Sequence, residues 1–330
     1  CLITQNSILG EDTAISNRKY IFDNTQVIQF ISFPERDNHK KRVFESVKMS
    51  VAISLLRKIT PIDDKEFTVT VWKERQMLNS VQHKTTKSDI KSTFPKTFSI
   101  PISSNHGFEI LKTVKSLKNV YYLKSSAGEI DMTKFSDKFT DDKSGYRVVT
   151  GAQIHKYMVN DKPQQGRIYY LTKNDIPVGG KFQYKSHPRL AFQRITGVDS
   201  PIRLIATIVP TNTLLANSCN FIYEEDSIKL KYELGLLNSK LINQIYKITS
   251  TNTNVTTSEI NSIPIPLVSK ELMTKVAGLV DQILSNKLTG VSTIEMESEI
   301  DLIVYEIYNL SDDDILFLNS SSKIAKPDLH

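Results

Sequence analysis

Residues 188–266 constrain the fold more than any other part of this sequence, because a strand pattern, a helix pattern and a polar loop follow one another there. The strand pattern, 189–209, carries three arginines, Arg189, Arg194 and Arg203. It is interrupted at 197–201 by Gly, Asp, Ser and Pro, which are turn formers. The pattern therefore predicts a twisted β-hairpin that could place its guanidinium groups on phosphates or guanine bases.

The hairpin is followed by an amphipathic helix, predicted over Leu236–Ile248 from apolar residues at helical spacing. Asn238-Ser239 near its start can satisfy free backbone N–H groups. A Thr- and Asn-rich loop, Thr249–Ser258, and the sequence Ile-Pro-Ile-Pro come next. Because the best-defined face of this helix is apolar, we expect the helix to pack beneath the hairpin and the loop as their scaffold. The arginine hairpin, the loop at 155–157 and the loop at 251–257 are the better candidates for contact with a partner.

Charge is unevenly distributed along the chain. Residues 271–330 carry 11 acids and 4 bases, so residues 1–270 carry 25 acids and 38 bases, a net charge of +13. A basic body of this kind suggests a polyanionic partner, although charge alone fits a surface made basic for solubility equally well. The histidines lack metal-ligand spacing, and Asp312-Asp313-Asp314 is predicted to be a solvated turn. We therefore predict no catalytic, cofactor-binding or metal-binding residue within the chain.

Length and composition bound the class of protein. A chain of 330 residues suggests about two domains. Its two cysteines, Cys1 and Cys219, argue against a disulfide scaffold and fit no zinc site. No apolar run approaches the roughly 18 residues of a membrane span, and no signal-peptide pattern is present. We expect a cytoplasmic location without membrane association.

The first part of the chain predicts an α/β sheet, because strand patterns alternate there with a helix pattern, Asp12–Phe22, that has a basic face at Arg18 and Lys19. The predicted strands are Leu2–Thr4, Val27–Phe33 and Val51–Leu56, all buried, and Phe67–Trp72, at the sheet edge. Since the sequence starts inside a strand pattern and without Met, we expect a fragment of a longer protein. Polar residues and prolines before Asn105 predict a linker between domains 1–105 and 106–330, with an irregular insertion as the alternative.

Several segments, taken in order, resemble TaqI-class adenine-N6 DNA methyltransferases of type II restriction–modification systems. They are Ile-Thr-Gln-Asn-Ser-Ile-Leu from residue 3, Arg-Val-Phe-Glu-Ser-Val-Lys-Met-Ser from residue 42, Arg-Val-Val-Thr-Gly from residue 147, Leu-Leu-Asn-Ser-Lys from residue 236 and the Ile-Pro-Ile-Pro. The resemblance implies an α/β fold, with the C-terminal strands of a Rossmann-like methyltransferase sheet followed by an α+β target recognition domain. Helices predicted over Lys270–Lys287 and Glu295–Leu310 resemble the closing helical region of the same proteins.

The resemblance also assigns roles to residues. Phe44 matches an aromatic that stacks on the flipped target base, although a core residue at a strand entrance is an equal alternative. Gly151 would permit a tight turn. The candidate DNA-binding residues are polar or basic, each with a solvated surface position as its alternative: Arg147, His155, Lys156, Tyr157, Arg167, Arg189, Arg194, Arg203, Asn252 and Asn254.

The chain departs from the family in two respects: it contains neither Asn-Pro-Pro-Tyr nor Asp-Pro-Pro-Tyr, and no Gly-x-Gly follows an opening strand. We therefore expect the chain to be inactive alone and to need a missing N-terminal catalytic segment of the same protein. The resemblance implies that its partner is double-stranded DNA. S-adenosylmethionine would serve the full-length protein without binding this fragment, and Mg would be needed only if a nuclease domain lies upstream. The rivals are a non-catalytic module like a type I specificity subunit, and an interaction protein whose basic charge is incidental.

Overall fold

A computed structural model describes residues 1–161, 167–197, 200–250 and 254–323. Its first part is a five-stranded sheet in the order β1-β3-β2-β4-β5. The strands are β1 (Leu2–Gln5), β2 (Gln26–Phe33), β3 (Val51–Arg57), β4 (Phe67–Trp72) and β5 (Ser80–Thr85). Helix α1 (Ile15–Asn24) connects β1 to β2, and both strands run antiparallel to the intervening β3. Since β4 is parallel to β2, the carboxyl ends of β1, β2 and β4 share one edge of the sheet.

Aromatic side chains fill the space between α1 and the sheet. The ring centroid of Phe22, on α1, lies 6.3 Å from that of Phe30 and 6.0 Å from that of Phe67. Arg18, predicted on an exposed basic face of this helix, is fully buried instead, and its guanidinium donates to three backbone carbonyl groups. Burial lowers its pKa to about 10. Arg18 is therefore part of the core of the first sheet.

The predicted strands of this sheet are confirmed, with two corrections to their surroundings. β1 was expected to be buried, but Leu2 and Ile3 are 51% and 64% exposed, because β1 pairs on one side only. β4 was expected at the edge, but it lies between β2 and β5. The sequence of β5 is largely polar, and only His83 and Thr85 are buried, as is typical of an edge strand with one solvated face.

The predicted linker near residue 105 packs against both parts of the chain. Two helices flank it, α2 (Lys87–Thr93) and α3 (Asn105–Ser116). The N–H of Ile100 donates to the carbonyl of Leu9 at 2.7 Å, and the N–H of Ile102 donates to the carbonyl of Ile248 at 3.0 Å. One cluster of buried apolar side chains runs from the first sheet through α3 into the later helices. The domain boundary at 105/106 stays a prediction.

The second part of the chain contains several small sheets. Its strands are β6 (Val120–Tyr122), β7 (Ser125–Ala127), β8 (Tyr146–Val149), β9 (Ile154–His155), β10 (Met158–Val159), β11 (Tyr169–Leu171), β12 (Arg189–Gln193), β13 (Ala206–Val209), β14 (Thr213–Leu215) and β15 (Cys219–Ile222). They form a sheet in the order β13-β12-β15-β7, a sheet in the order β11-β8-β14 and the pair β9-β10. β12 and β13 pair antiparallel, with Arg189 opposite Val209 and Phe192 opposite Ala206, which confirms the predicted hairpin.

Helices pack against these sheets. They are α4 (Ser227–Leu237), α5 (Lys240–Thr249) and α6 (Thr257–Asn261), and strand β16 (Pro264–Pro266) then pairs with β6. The single helix predicted over Leu236–Ile248 is corrected to two, with the break at Asn238-Ser239. Asn238 uses its side chain to bond the backbone N–H and C=O of Ala206, and the Ser239 hydroxyl accepts from the Ile242 N–H, capping α5.

The C-terminal region is helical, as predicted. Its helices are α7 (Lys270–Thr289), α8 (Ile294–Ile307) and α9 (Asp312–Lys323). Asp312-Asp313-Asp314, predicted to be a solvated turn, begins α9, where carboxylates favour the positive end of the helix. Asp314 also lies 2.8 Å from the imidazole of His106. Within the described ranges, none of the helices is both long and apolar enough to cross a bilayer.

Candidate nucleic-acid interface

Two of the three hairpin arginines are buried. Arg189 is 0% exposed, and its Nη1 lies 2.9 Å from Glu129 Oε1 while its Nη2 donates to the Thr213 carbonyl at 2.5 Å. Arg203 is 1% exposed, and its Nε donates to Thr196 Oγ1 at 3.1 Å. These placements correct the prediction that both guanidinium groups face a partner. In this fold Arg189 and Arg203 support the hairpin from inside.

Tyr157 also faces the interior, and Lys156 beside it is half-buried against α8. Tyr157 is 2% exposed, and burial raises the pKa of its phenol well above the ordinary value. The ammonium of Lys156 lies 2.5 Å from Glu297 Oε2 on α8. Burial favours a raised pKa for the Glu297 carboxyl, but the charge and hydrogen bond of Lys156 hold that pKa below its ordinary value. Burial corrects the prediction that Tyr157 contacts a partner. The ion pair with Glu297 gives Lys156 a structural role, joining the loop at 155–157 to α8, as the alternative to its predicted partner contact.

Arg194, the third hairpin arginine, lies at the surface where three loops meet. Its backbone N–H donates to the Ser218 carbonyl at 3.0 Å, and its Nη1 donates to the Asn217 carbonyl at 3.0 Å. Ile195 next to it forms a β-bridge with Asn254. The N–H of Gly151 donates to Ser218 Oγ at 2.9 Å. We call Gly151, Arg194, Asn217, Ser218 and Asn254 the Arg194 cluster.

Gly151 begins a single 3-10 turn after β8, as predicted, but close packing rather than the turn is what requires a glycine there. Its φ angle is negative, so no left-handed conformation is involved. A Cβ at this position would lie 2.3 Å from the Ser218 carbonyl oxygen, closer than any side chain tolerates. The glycine therefore allows the loop after β8 to approach the loop before β15.

The Arg194 cluster contains one anchored cation, Arg194, and two side-chain amides, those of Asn217 and Asn254. An arginine has five N–H donors in a planar fork, so one bond to the Asn217 carbonyl orients the group and leaves further donors. Asn254 and Asn217 have side chains that both donate and accept hydrogen bonds. This combination suits the edges of bases as well as phosphate oxygens. Asn252, predicted beside Asn254, lies outside the described residues.

Two further predicted arginines lie in or near the sheet formed by β11, β8 and β14: Arg147 is in β8, and Arg167 lies just before β11. Arg147, in β8, is paired opposite Tyr170. Its Nη1 lies 2.6 Å from Asp161 Oδ1, while its Nε and Nη2 are buried without a hydrogen-bond partner in the described part of the chain. The side chain of Arg167 is 55% exposed and lies over the ring of Tyr169, at 5.4 Å from the centroid. Arg167 is therefore the more accessible of the two.

His155 lies in β9, which pairs with β10. It is half-buried, and its Nε2 has no hydrogen-bond partner within the ranges that the structure describes. An imidazole nitrogen can donate or accept, depending on its tautomer. His155 stays a candidate contact.

The structure adds lysines that the sequence reasoning missed. Lys138 lies over the ring of Phe135 at 5.4 Å, and Lys185 lies over the ring of Tyr146 at 5.6 Å. Lys181 donates to the carbonyl of Gly128 at 2.8 Å, beside the β7–β8 connection. The signal that could have found them is the interleaving of lysine with aromatic residues at 135–138 and 181–185.

Phe44 lies in the other part of the chain, in the loop between β2 and β3. This loop starts at the carboxyl end of β2, and Phe44 is 42% exposed. The exposure disagrees with the alternative of a buried core residue. Ligands of open α/β sheets bind outside the carboxyl ends of the strands. The stacking role of Phe44 stays a prediction, and the surface geometry leaves its ring accessible.

Comparison with known proteins supports a specificity role for the region that contains the Arg194 cluster. Residues 146–265 match the family described as the TaqI-like C-terminal specificity domain. No curated protein sequence matches the chain. The fold is similar to the type IIL restriction–modification enzyme MmeI, solved in complex with DNA, at a TM-score of 0.55 and 11% identity over 98% of this chain and 49% of MmeI.

The comparison also matches the type IIG restriction endonuclease BpuSI, at a TM-score of 0.39 and 11% identity over 93% of this chain and 47% of that chain. The chain spans about half the length of these two solved proteins. The likeness to MmeI concerns the fold. The match of residues 146–265 to the TaqI-like C-terminal specificity domain confirms the resemblance to TaqI-class proteins that the sequence segments show.

Proposed function

We propose that this chain is the DNA-recognition part of an S-adenosylmethionine-dependent adenine-N6 DNA methyltransferase of a restriction–modification system. The observation that carries the proposal is the match of residues 146–265 to a specificity domain. The Arg194 cluster lies in that region, and its guanidinium and amide groups suit the reading of base edges. Recognition then selects the site, and the chemistry takes place elsewhere.

The five-stranded sheet fits the other half of the proposal. β1, α1 and β2 form the strand–helix–strand unit from which open α/β sheets are built. We propose that this sheet is the C-terminal part of a Rossmann-like methyltransferase sheet. Since the chain has no Asn-Pro-Pro-Tyr, the catalytic loop and the S-adenosylmethionine site would come from a further segment of the same cytoplasmic protein. Mg would be involved only if that segment included a nuclease.

Base flipping explains how the two halves act together. A target adenine inside a duplex is inaccessible to a methyltransferase, so the nucleotide has to leave the helical stack. Phe44, exposed at the carboxyl edge of the sheet, offers an aromatic face on which the extruded adenine can stack. The Arg194 cluster would hold the flanking duplex and fix which adenine is presented.

The test is a DNA-binding titration in increasing salt. The chain should bind duplex DNA with an affinity that falls steeply as salt rises, because phosphate contacts release counterions. Arg194→Ala and Arg167→Ala should each weaken binding, and removal of a single phosphate contact should reduce the salt slope by about 1. Arg57→Ala is the matched control, because Arg57 is exposed at the end of β3, on the opposite edge of the sheet from Phe44. Absence of binding at low salt, or equal losses in all three variants, would contradict the proposal.

A further inference from the structure

The β4–β5 loop, residues 73–79, shares a sheet edge with the Phe44 loop, residues 34–50. β2 and β4 are parallel neighbours, so the loops that leave their carboxyl ends lie side by side. The 34–50 loop carries five basic and three acidic residues, and the 73–79 loop carries two basic residues and one acidic residue. This edge of the sheet is therefore basic, which suits a polyanion.

Specific contacts join the two loops. The backbone N–H of Arg75 donates to the Lys41 carbonyl at 2.9 Å, and its guanidinium forms an ion pair with the carboxylate of Glu45, the residue after Phe44. The side-chain amide of Gln76 donates to the Lys40 carbonyl at 3.3 Å. The guanidinium holds the pKa of Glu45 below its ordinary value, chiefly through the hydrogen bond. The position of the 73–79 loop is thereby linked to that of Phe44.

The tip of the 73–79 loop exposes two large apolar side chains. Met77 and Leu78 are 50% and 73% exposed. Met77 has a φ of 55°, in the left-handed region that side chains rarely adopt, and its N–H donates to the Glu74 carbonyl at 3.1 Å. The turn therefore keeps an unfavourable backbone conformation at the point where it projects apolar groups away from the sheet. Conformations of this kind concentrate at functional sites.

We propose that Met77 and Leu78 form an apolar wedge that enters the base stack of duplex DNA beside the displaced nucleotide. The proposal rests on the proposed function, since it requires that DNA binds this edge. Leucine and methionine serve as such wedges in proteins that unstack DNA. The lysine and arginine side chains around the tip attract the phosphates of the DNA. The contacts of Arg75 and Gln76 set the distance between the wedge and the aromatic ring of Phe44. The vacancy left by the extruded base would be filled by the wedge.

The test compares two duplexes of one mixed sequence, one intact and one with a single central abasic site. The abasic duplex already contains the vacancy, so a wedge should bind it about tenfold more tightly, as measured by fluorescence anisotropy with the full chain. Leu78→Ser should abolish this preference and leave the affinity for the intact duplex within about twofold. Leu302→Ser is the matched control, since Leu302 is 61% exposed on α8, far along the chain from this edge. It should retain the preference.

The outcomes separate the wedge from the proposed function. Binding of both duplexes with equal affinity, or a preference that survives Leu78→Ser, overturns the wedge and leaves DNA recognition standing. Loss of the preference in both Leu78→Ser and Leu302→Ser also overturns it, because the effect would not be specific to the tip. Absence of binding to either duplex at low salt overturns the proposed function, and the wedge with it. Circular dichroism of each variant confirms that it folds.

Discussion

Removing one partner of the Arg189–Glu129 pair should destabilise the fold around β12 rather than merely weaken DNA binding. Both side chains are 0% exposed, and the guanidinium also donates to the Thr213 carbonyl. Arg189 lies over the ring of Phe221 as well, at 4.9 Å from the centroid. Burial raises the pKa of Glu129, and the charge of Arg189 opposes that rise. The pair therefore joins β12 to the segment between β7 and β8.

The magnitude follows from leaving a buried charge without its partner. Glu129→Gln removes the counter-charge and should cost about 3–5 kcal/mol of the free energy of unfolding. Arg189→Ala should cost a similar amount, because it also removes the bond to the Thr213 carbonyl and the packing on Phe221. The double substitution Glu129→Leu with Arg189→Met should recover most of the loss, since two apolar side chains of similar volume leave no unpaired charge.

Urea unfolding monitored by circular dichroism measures this effect. With a slope of about 3 kcal/mol per M urea, the single variants should unfold at a midpoint roughly 1–1.7 M lower than that of the unaltered chain, and the double variant should unfold close to the unaltered midpoint. The reasoning is refuted if Arg189→Ala keeps the unfolding midpoint and loses DNA affinity. That result would mean that Arg189 faces DNA, as its sequence pattern predicts.

Three other substitutions test separate parts of the structure. Burial raises the pKa of Glu233 to about 7, so its protonated form is favoured on folding; this stability is complete below pH 4.5 and is lost as pH rises through 7. From pH 5 to pH 8 the free energy of unfolding of the unaltered chain, measured with urea, should therefore fall by roughly 3 kcal/mol relative to that of Glu233→Gln. Parallel curves of unfolding free energy against pH for the two proteins would contradict this. Gly151→Ala should cost about 1–3 kcal/mol because its Cβ meets the Ser218 carbonyl, whereas Gly278→Ala, with open space around it on α7, should stabilise the chain slightly; equal effects would contradict the close approach. Lys156→Met should lower the thermal midpoint and leave DNA affinity unchanged, because Lys156 binds Glu297; reduced affinity at an unchanged midpoint would show a DNA contact instead.

Local patterns predicted the elements whose burial depends on their own sequence. The apolar runs of β2 and β3 and the helical spacing of α7 and α8 were confirmed, because each buries a face that repeats along one segment. β5 was missed because an edge strand with a polar face carries little periodic signal. The break between α4 and α5 was missed because apolar spacing continues through it, and the cause lies in the bonds of Asn238 to Ala206.

Sequence patterns also identified the arginines of the candidate site without showing which of them are buried. Arg189 and Arg194 are identical in type and five positions apart, yet one is buried and the other reaches the surface. Arg189 begins the buried strand β12 and pairs with Glu129, 60 positions away, whereas Arg194 follows the end of that strand. Local sequence does not reveal the pairing with Glu129. Arg203 depends likewise on Thr196 and on the ring of Tyr246. Arginines in strand patterns therefore predict a basic element, while tertiary contacts decide which of them faces outward.

Selection from a pool of randomised duplexes tests the central claim most directly, because it asks for sequence recognition rather than charge. The full chain, incubated with the pool at moderate salt and subjected to several rounds of capture, should enrich one short sequence that contains an adenine. Arg194→Ala should relax the preference at one or more positions of that sequence, by about 1–3 kcal/mol for each base that Arg194 reads. A pool that stays random while DNA is still captured would show non-specific binding only, and would contradict the account.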